Sequence, residues 1–229
     1  MRRIILVLLF GELAIGGYAA LGQSPAERPQ TDEALKEIAA LVDSVRAASF
    51  AQLKGVNIAL HPMRSDHVYL ESRFTFSSFF LARKLRYMIL FNPEAIARQV
   101  PPNGLRAIVA HELAHIDYFH RHRRMGLVSL IRLSREPFEA RFERGADLET
   151  IARGYGPGLE SYRTWLYCNI PASRIEKKKR DYFSPEEIEA ILRAARQNPQ
   201  IMGVFSACVP RDLAEVERKS QNPGAPCAH

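Results

Sequence analysis

The 229 residues carry 32 Lys and Arg against 25 Asp and Glu, a formal net charge of +7, with 47% hydrophobic and 25% charged residues. Such a balance excludes a disordered or fibrous chain and suffices for one buried core, so a single domain is the expectation. The basic surplus favours anionic surfaces such as lipid headgroups. Nucleic acid is not an expected partner, because the chain opens on what reads as an export signal.

That opening is "MRRIILVLLFGELAIGGYAALGQ": two arginines, an apolar stretch and a small-residue end at Ala20-Leu21-Gly22. The order matches a secretory signal peptide. Glu12 interrupts the apolar stretch, which disfavours a permanent anchor, since a carboxylate within a bilayer is costly. Loss of residues 1–22 removes two arginines and one glutamate, leaving +6. Whether this segment is cleaved or stays as an anchor, the rest is expected outside the cytoplasm, in a periplasmic or extracellular space. Cys168, Cys208 and Cys227 are too widely spaced for a zinc knuckle, and an oxidising compartment would allow one pair to close. Cys208–Cys227 is one candidate pairing, which the sequence does not decide.

"QSPAERPQ" (residues 23–30) reads as a linker. A helix follows from Thr31, with Leu35, Ile38, Leu41, Val42 and Val45 at helical spacing. The period then changes. "GVNIALHP", "HVYLESRFTF" and "LRYMILFNP" are short runs rich in β-branched and aromatic residues, and predict strands of a small sheet. "PEAIARQV" makes a short helix that Pro101-Pro102 ends. Asn103 is placed to cap the next helix, which extends to about Arg123, and "LVSLIRLS" reads as another short one. "EPFEARFERGADLETIARG" is a clear helix with Gly154 as its stop, and "GLESYRTWLYCNI" follows as a further one. "SPEEIEAILRAARQN" opens with a capping box from Ser184 to Glu187. "SQNPGAPCAH" reads as loose.

The chemistry concentrates in "GLRAIVAHELAHIDYFHRHRR". "HELAH" fits H-E-x-x-H. Residues four apart stack on one helix face, so His111 and His115 point the same way and can share one zinc ion. Glu112 sits beside the first ligand, where a carboxylate can take a proton from the attacking water and return it to a leaving amine. The neighbours Ala107, Ile108, Val109, Ala110, Leu113, Ala114 and Ile116 predict a buried helix, in which a metal would give the polar trio a partner. A third ligand is needed. The pattern that adds a histidine six residues beyond the motif is excluded, because Tyr118 and Arg121 hold the required Gly and His positions. His122 lies about 10 Å further along the axis than His115. It and His120 read as part of a solvated, basic helix end.

"FEARFERGADLET" supplies the better candidates: Glu139, Glu143 and Asp147, four apart on one face. Like charges at that spacing destabilise a bare helix, and a cation opposite would reverse the effect. Gly145 and Ala146 are small enough for close packing against Ala110 and Ala114. Glu143 is the preferred ligand and Glu139 its competitor. Asp147 is placed to accept a hydrogen bond from a ligating histidine.

"AIVAHELAHI" followed by "ERGAD" resembles the HExxH…ExxAD pattern of the gluzincin zinc metallopeptidases, particularly the HtpX-type group. The resemblance covers about 50 residues, Asn103 to Arg153. It implies a zincin-like α+β domain, mostly helical, with a small β-sheet preceding the HExxH helix. It also implies zinc on His111, His115 and Glu143, Glu112 as general base, and a peptide or protein substrate. The peptide is expected to add along a strand near residues 85–91.

The resulting organisation is a signal peptide or N-terminal anchor over 1–22, a linker over 23–30, a metallopeptidase-like domain over 31–215 and a flexible tail over 216–229. A reading from another class keeps the zinc and drops the reaction: a non-catalytic, zinc-stabilised binding domain at an envelope or membrane surface. "EKKKRD" (176–181) reads as a solvated helix or loop, and Tyr162, Trp165 and Tyr167 as core. Tyr155 reads as a loop residue, with stabilisation of a transition-state oxyanion as the lesser alternative.

Overall fold

The computed structural model describes residues 28–65, 67–74, 85–122 and 136–227. The expected signal peptide and the expected helix in "LVSLIRLS" lie outside the described residues. The fold is α+β and mostly helical, with a small mixed sheet preceding the helix that carries the motif. The chain divides into two compact units, and one division falls inside that helix, between His111 and Glu112.

The first unit opens with α1 (Arg28–Ser49). It starts inside the stretch expected to be a linker and buries Ala34, Ile38, Val42 and Val45, the helical spacing read from the sequence. A 3-10 turn over Ala51–Leu53 leads to β1 (Ile58–Pro62), β2 (Leu70–Phe74) and β3 (Tyr87–Phe91). The order is β1-β3-β2, with β1 parallel and β2 antiparallel to β3. Alternation turns Leu70, Ser72 and Phe74 of β2 and Tyr87, Ile89 and Phe91 of β3 inward. A peptide was expected to pair near residues 85–91, but β3 is the central strand with both edges in use, so that expectation fails. Among the described residues the open edges belong to β1 and β2. The short helix α2 (Glu94–Ala97) follows.

Helix α3 (Pro102–Arg121) carries "HELAH". It starts one residue before Asn103, which therefore sits in the first turn rather than at the cap. Leu105, Ala107, Ile108, Val109, Ala110, Leu113, Ala114, Ile116 and Phe119 are all buried, so the helix is covered nearly all round. In the first unit Phe119 meets Phe74 of β2 edge to face, ring centroids 5.2 Å apart.

The second unit takes the start of α3 and all described residues from Glu136 onward. Helix α4 (Glu136–Thr150) runs through a π-helical turn, Ile151–Tyr155, directly into α5 (Gly156–Asn169). Gly154 has the positive φ of +89° expected of a helix stop, yet the chain continues into the next helix without a loop. Four more helices follow: α6 (Ala172–Asp181), α7 (Pro185–Gln197), α8 (Ile201–Ala207) and α9 (Leu213–Gln221). The predicted capping box is present at the start of α7: Ser184 Oγ accepts from Glu187 N–H and Glu187 Oε2 from Ser184 N–H. The core gathers Ala107, Leu148, Leu159, Phe183, Ile188, Ile191, Phe205 and Val216.

Two sequence expectations are corrected in this unit. A loose tail from residue 216 is replaced by α9, whose Val216 and Lys219 are buried, and by a disulfide from Cys208 to Cys227. Cys168 is free and exposed. Gly145 does not mediate close packing, since a Cβ there would meet nothing within 4 Å. The close approach lies at Gly158 of α5, where a Cβ would fall 2.3 Å from the Asn103 carbonyl oxygen at the start of α3.

Candidate metal centre

The two motif histidines are set by α3. His111 and His115 are one turn apart and 1% and 6% exposed. Helix α4 brings Glu143 to them. The ligand atoms of His111, His115 and Glu143 all lie within 4.8 Å of one another. His111 Nε2 stands 3.2 Å from Glu143 Oε2. Two imidazoles and one carboxylate suit a divalent cation of intermediate softness, and this set leaves coordination positions for other ligands. The group can hold a metal ion.

The competitor Glu139 goes elsewhere. Its carboxylate accepts from Lys177 Nζ at 3.0 Å. The acidic stripe of α4 is thus divided: Glu139 to a lysine, Glu143 to the face of His111 Nε2, Asp147 to the other side of the same ring. Asp147 Oδ1 is 2.8 Å from His111 Nδ1. An acceptor there selects the tautomer that leaves Nε2 free to ligate.

Asp147 is fully buried and held by two further contacts that its spacing does not suggest. Arg163 of α5 donates to Oδ1 at 3.0 Å, and the Phe183 N–H donates to Oδ2 at 3.1 Å. Burial alone would push the Asp147 carboxyl up, but Arg163, His111 and the Phe183 amide together hold it below its ordinary value. Burial likewise opposes the charge on Arg163, and Asp147 outweighs it, leaving the guanidinium pKa raised. Tyr182 completes this wall. Its ring centroid is 5.9 Å from that of His111, with the Arg163 guanidinium 4.4 Å from the ring centroid.

Glu112 is 5% exposed and turned to the sheet, where the backbone N–H of Ser72 donates to its Oε2 at 2.7 Å. That amide therefore points away from β3 and along the open edge of β2. His120 and His122 are exposed and outside the metal group, as expected, and His122 Nδ1 is 2.7 Å from the Tyr118 carbonyl oxygen. Tyr155 packs against the apolar core of the second unit. Tyr162 is buried and Trp165 and Tyr167 half-buried.

The residues around this group that sequence reasoning missed are Ser72, Arg163 and Tyr182. Ser72 acts through its backbone, which leaves no mark in side-chain patterns. Arg163 looks like any helix-surface arginine until its burial is known. Among the described residues no helix is long and apolar enough to cross a membrane. No family model matches the chain, and neither the curated proteins nor the solved structures include one detectably similar to it.

Proposed function

We propose that this chain is a zinc-dependent peptidase, with His111, His115 and Glu143 as the zinc ligands and Glu112 as the general base. One observation carries the reading: two histidines of one helix and a glutamate of another converge to within 4.8 Å, in the arrangement that the gluzincin resemblance implies. When bound, zinc supplies a Lewis acid for water and for a peptide carbonyl.

The chain's own residues do the rest. The Ser72 N–H fixes one oxygen of Glu112, so the carboxylate keeps one orientation while its other oxygen stays available. That carboxylate takes a proton from the attacking water and delivers it to the nitrogen of the breaking peptide bond. Asp147 holds the His111 ring by Nδ1 and Arg163 holds Asp147. An extended peptide laid along the open edge of β2 passes the amide that touches Glu112, so β2 takes the docking role first expected of residues 85–91. The Cys208–Cys227 disulfide supports an exported location, where such bonds persist.

The test is zinc-loaded wild type beside Glu112→Gln, assayed on a mixed peptide library by mass spectrometry. Wild type is expected to cleave, and Glu112→Gln to keep its zinc while losing at least about 100-fold in rate, the scale of a general base. Full zinc without cleavage by wild type would favour the zinc-stabilised binding domain. A wild-type protein that takes up no zinc would overturn both.

A further inference from the structure

Helix α6 contains the run "EKKKRD", and every basic residue of that run but one has a carboxylate partner. Lys177 Nζ donates to Glu139 at 3.0 Å and is also paired with Asp181. Lys179 Nζ lies 3.9 Å from Glu176, and Arg180 Nε bonds Asp181 at 3.0 Å. Lys178 differs. Among the described residues its Nζ has no hydrogen bond or ion pair, and it rests 4.7 Å from the centroid of the Tyr182 ring. Arg163 is a second cation on that ring, and the ring centroid stands 5.9 Å from that of His111. Three unused donors of a half-buried ammonium therefore sit one aromatic ring away from the metal ligand group.

This placement is costly. Burial and the repulsion of Arg163 push the Lys178 ammonium down to about 8, and the charge of Glu143 only partly offsets them. The Tyr182 ring face offsets part of that cost but occupies none of the three N–H donors as a carboxylate would. An unpaired donor beside the ligand group is instead available to something that arrives.

We propose that Lys178 is a further catalytic residue of this site: its Nζ donates a hydrogen bond to the oxygen of the substrate carbonyl as that oxygen gains negative charge. The inference rests on the peptidase reading above. Water oxygen bonds to the carbonyl carbon, its proton passes to Glu112, and the carbon–nitrogen bond then breaks as Glu112 returns that proton to the amine. Lys178 exchanges no proton in this sequence. It contributes a donor to the oxygen on which charge develops, which acts on the transition state more than on the bound peptide.

The test compares zinc-loaded wild type, Lys178→Met and Lys178→Arg, with Lys178→Ala as a second neutral variant should Lys178→Met fail to fold. The probe is a phosphinic dipeptide, whose tetrahedral anion imitates the charged oxygen, titrated by calorimetry. The neutral variant is expected to bind it at least about 10-fold more weakly with unchanged zinc content, and to lose about 100-fold in kcat with KM within a few-fold. Lys178→Arg is expected to recover most of the affinity. Equal affinity in wild type and the neutral variant would overturn the assignment even if peptides are cleaved, and so would a wild type that does not bind the probe. Binding that depends on Lys178 in a protein that cleaves no peptide would uphold the anion site and remove the peptidase reading alone.

Discussion

His111 Nδ1 and Asp147 Oδ1 stand 2.8 Å apart, with side-chain exposures of 2% and 0%. One carboxylate thereby sets the direction of the first motif histidine, and Arg163 balances the charge. Replacing Asp147 by Asn removes that charge and leaves Arg163 buried without its counter-ion. The expected result is a loss of about 3–5 kcal/mol in unfolding free energy. Zinc affinity is expected to fall about 10–100-fold. Urea unfolding and competition with a coloured chelator measure the two effects separately.

The Asp147 pKa also sets an acid limit. Its folded value lies below the ordinary one, so its stabilisation is fully present above the unfolded value and is lost as pH falls through the folded value. Metal-free protein is therefore expected to lose stability as pH drops below about 4, the ordinary aspartate range. Asp147→Asn is expected to show a shallower loss over the same interval. Melting temperatures in matched ionic strength at a series of pH values distinguish the two slopes, and parallel curves would refute the assignment.

Glu143 and Glu139 lie one turn apart on α4 but have different partners. Glu143→Ala is expected to lower zinc affinity by at least about 10-fold, since a direct ligand counts for no less than an outer partner. Glu139→Ala is expected to retain wild-type zinc, because its carboxylate serves Lys177. Metal analysis after dialysis against a weak chelator decides it, and equal zinc in Glu143→Ala and wild type would sink the ligand assignment.

Two glycines make opposite predictions. A Cβ on Gly158 would lie 2.3 Å from the Asn103 carbonyl oxygen and 3.1 Å from the Ala107 side chain, both on the helix that carries the histidines. Gly158→Ala is expected to cost about 1–3 kcal/mol by overpacking and to loosen zinc binding. Gly145, with no atom within 4 Å of its would-be Cβ, is expected to gain up to about 1 kcal/mol as Ala from helix propensity. Denaturant midpoints of the two variants test both signs.

The sequence by itself determined the parts that depend on local spacing. His111 and His115 share a face because a helix repeats every 3.6 residues, and the Ser184 capping box is a contact over three residues. The short runs rich in β-branched and aromatic residues likewise predicted three strands before the motif helix. Tertiary structure decided what depends on distant partners. Glu139 and Glu143 have the same residue type and the same helix face, and what separates them is Lys177 beside the one and His111 beside the other. The place of β3 in the middle of its sheet follows from pairing, which a strand's own residues do not encode. The two compact units, the close approach at Gly158 rather than Gly145 and the burial of Arg163 follow from packing between segments far apart in the chain. Lys178 shows the limit most plainly. Within "EKKKRD" it is one basic residue among four, and only the folded chain sets it over Tyr182 without a carboxylate partner, because what distinguishes a charged side chain is the set of groups brought to face it.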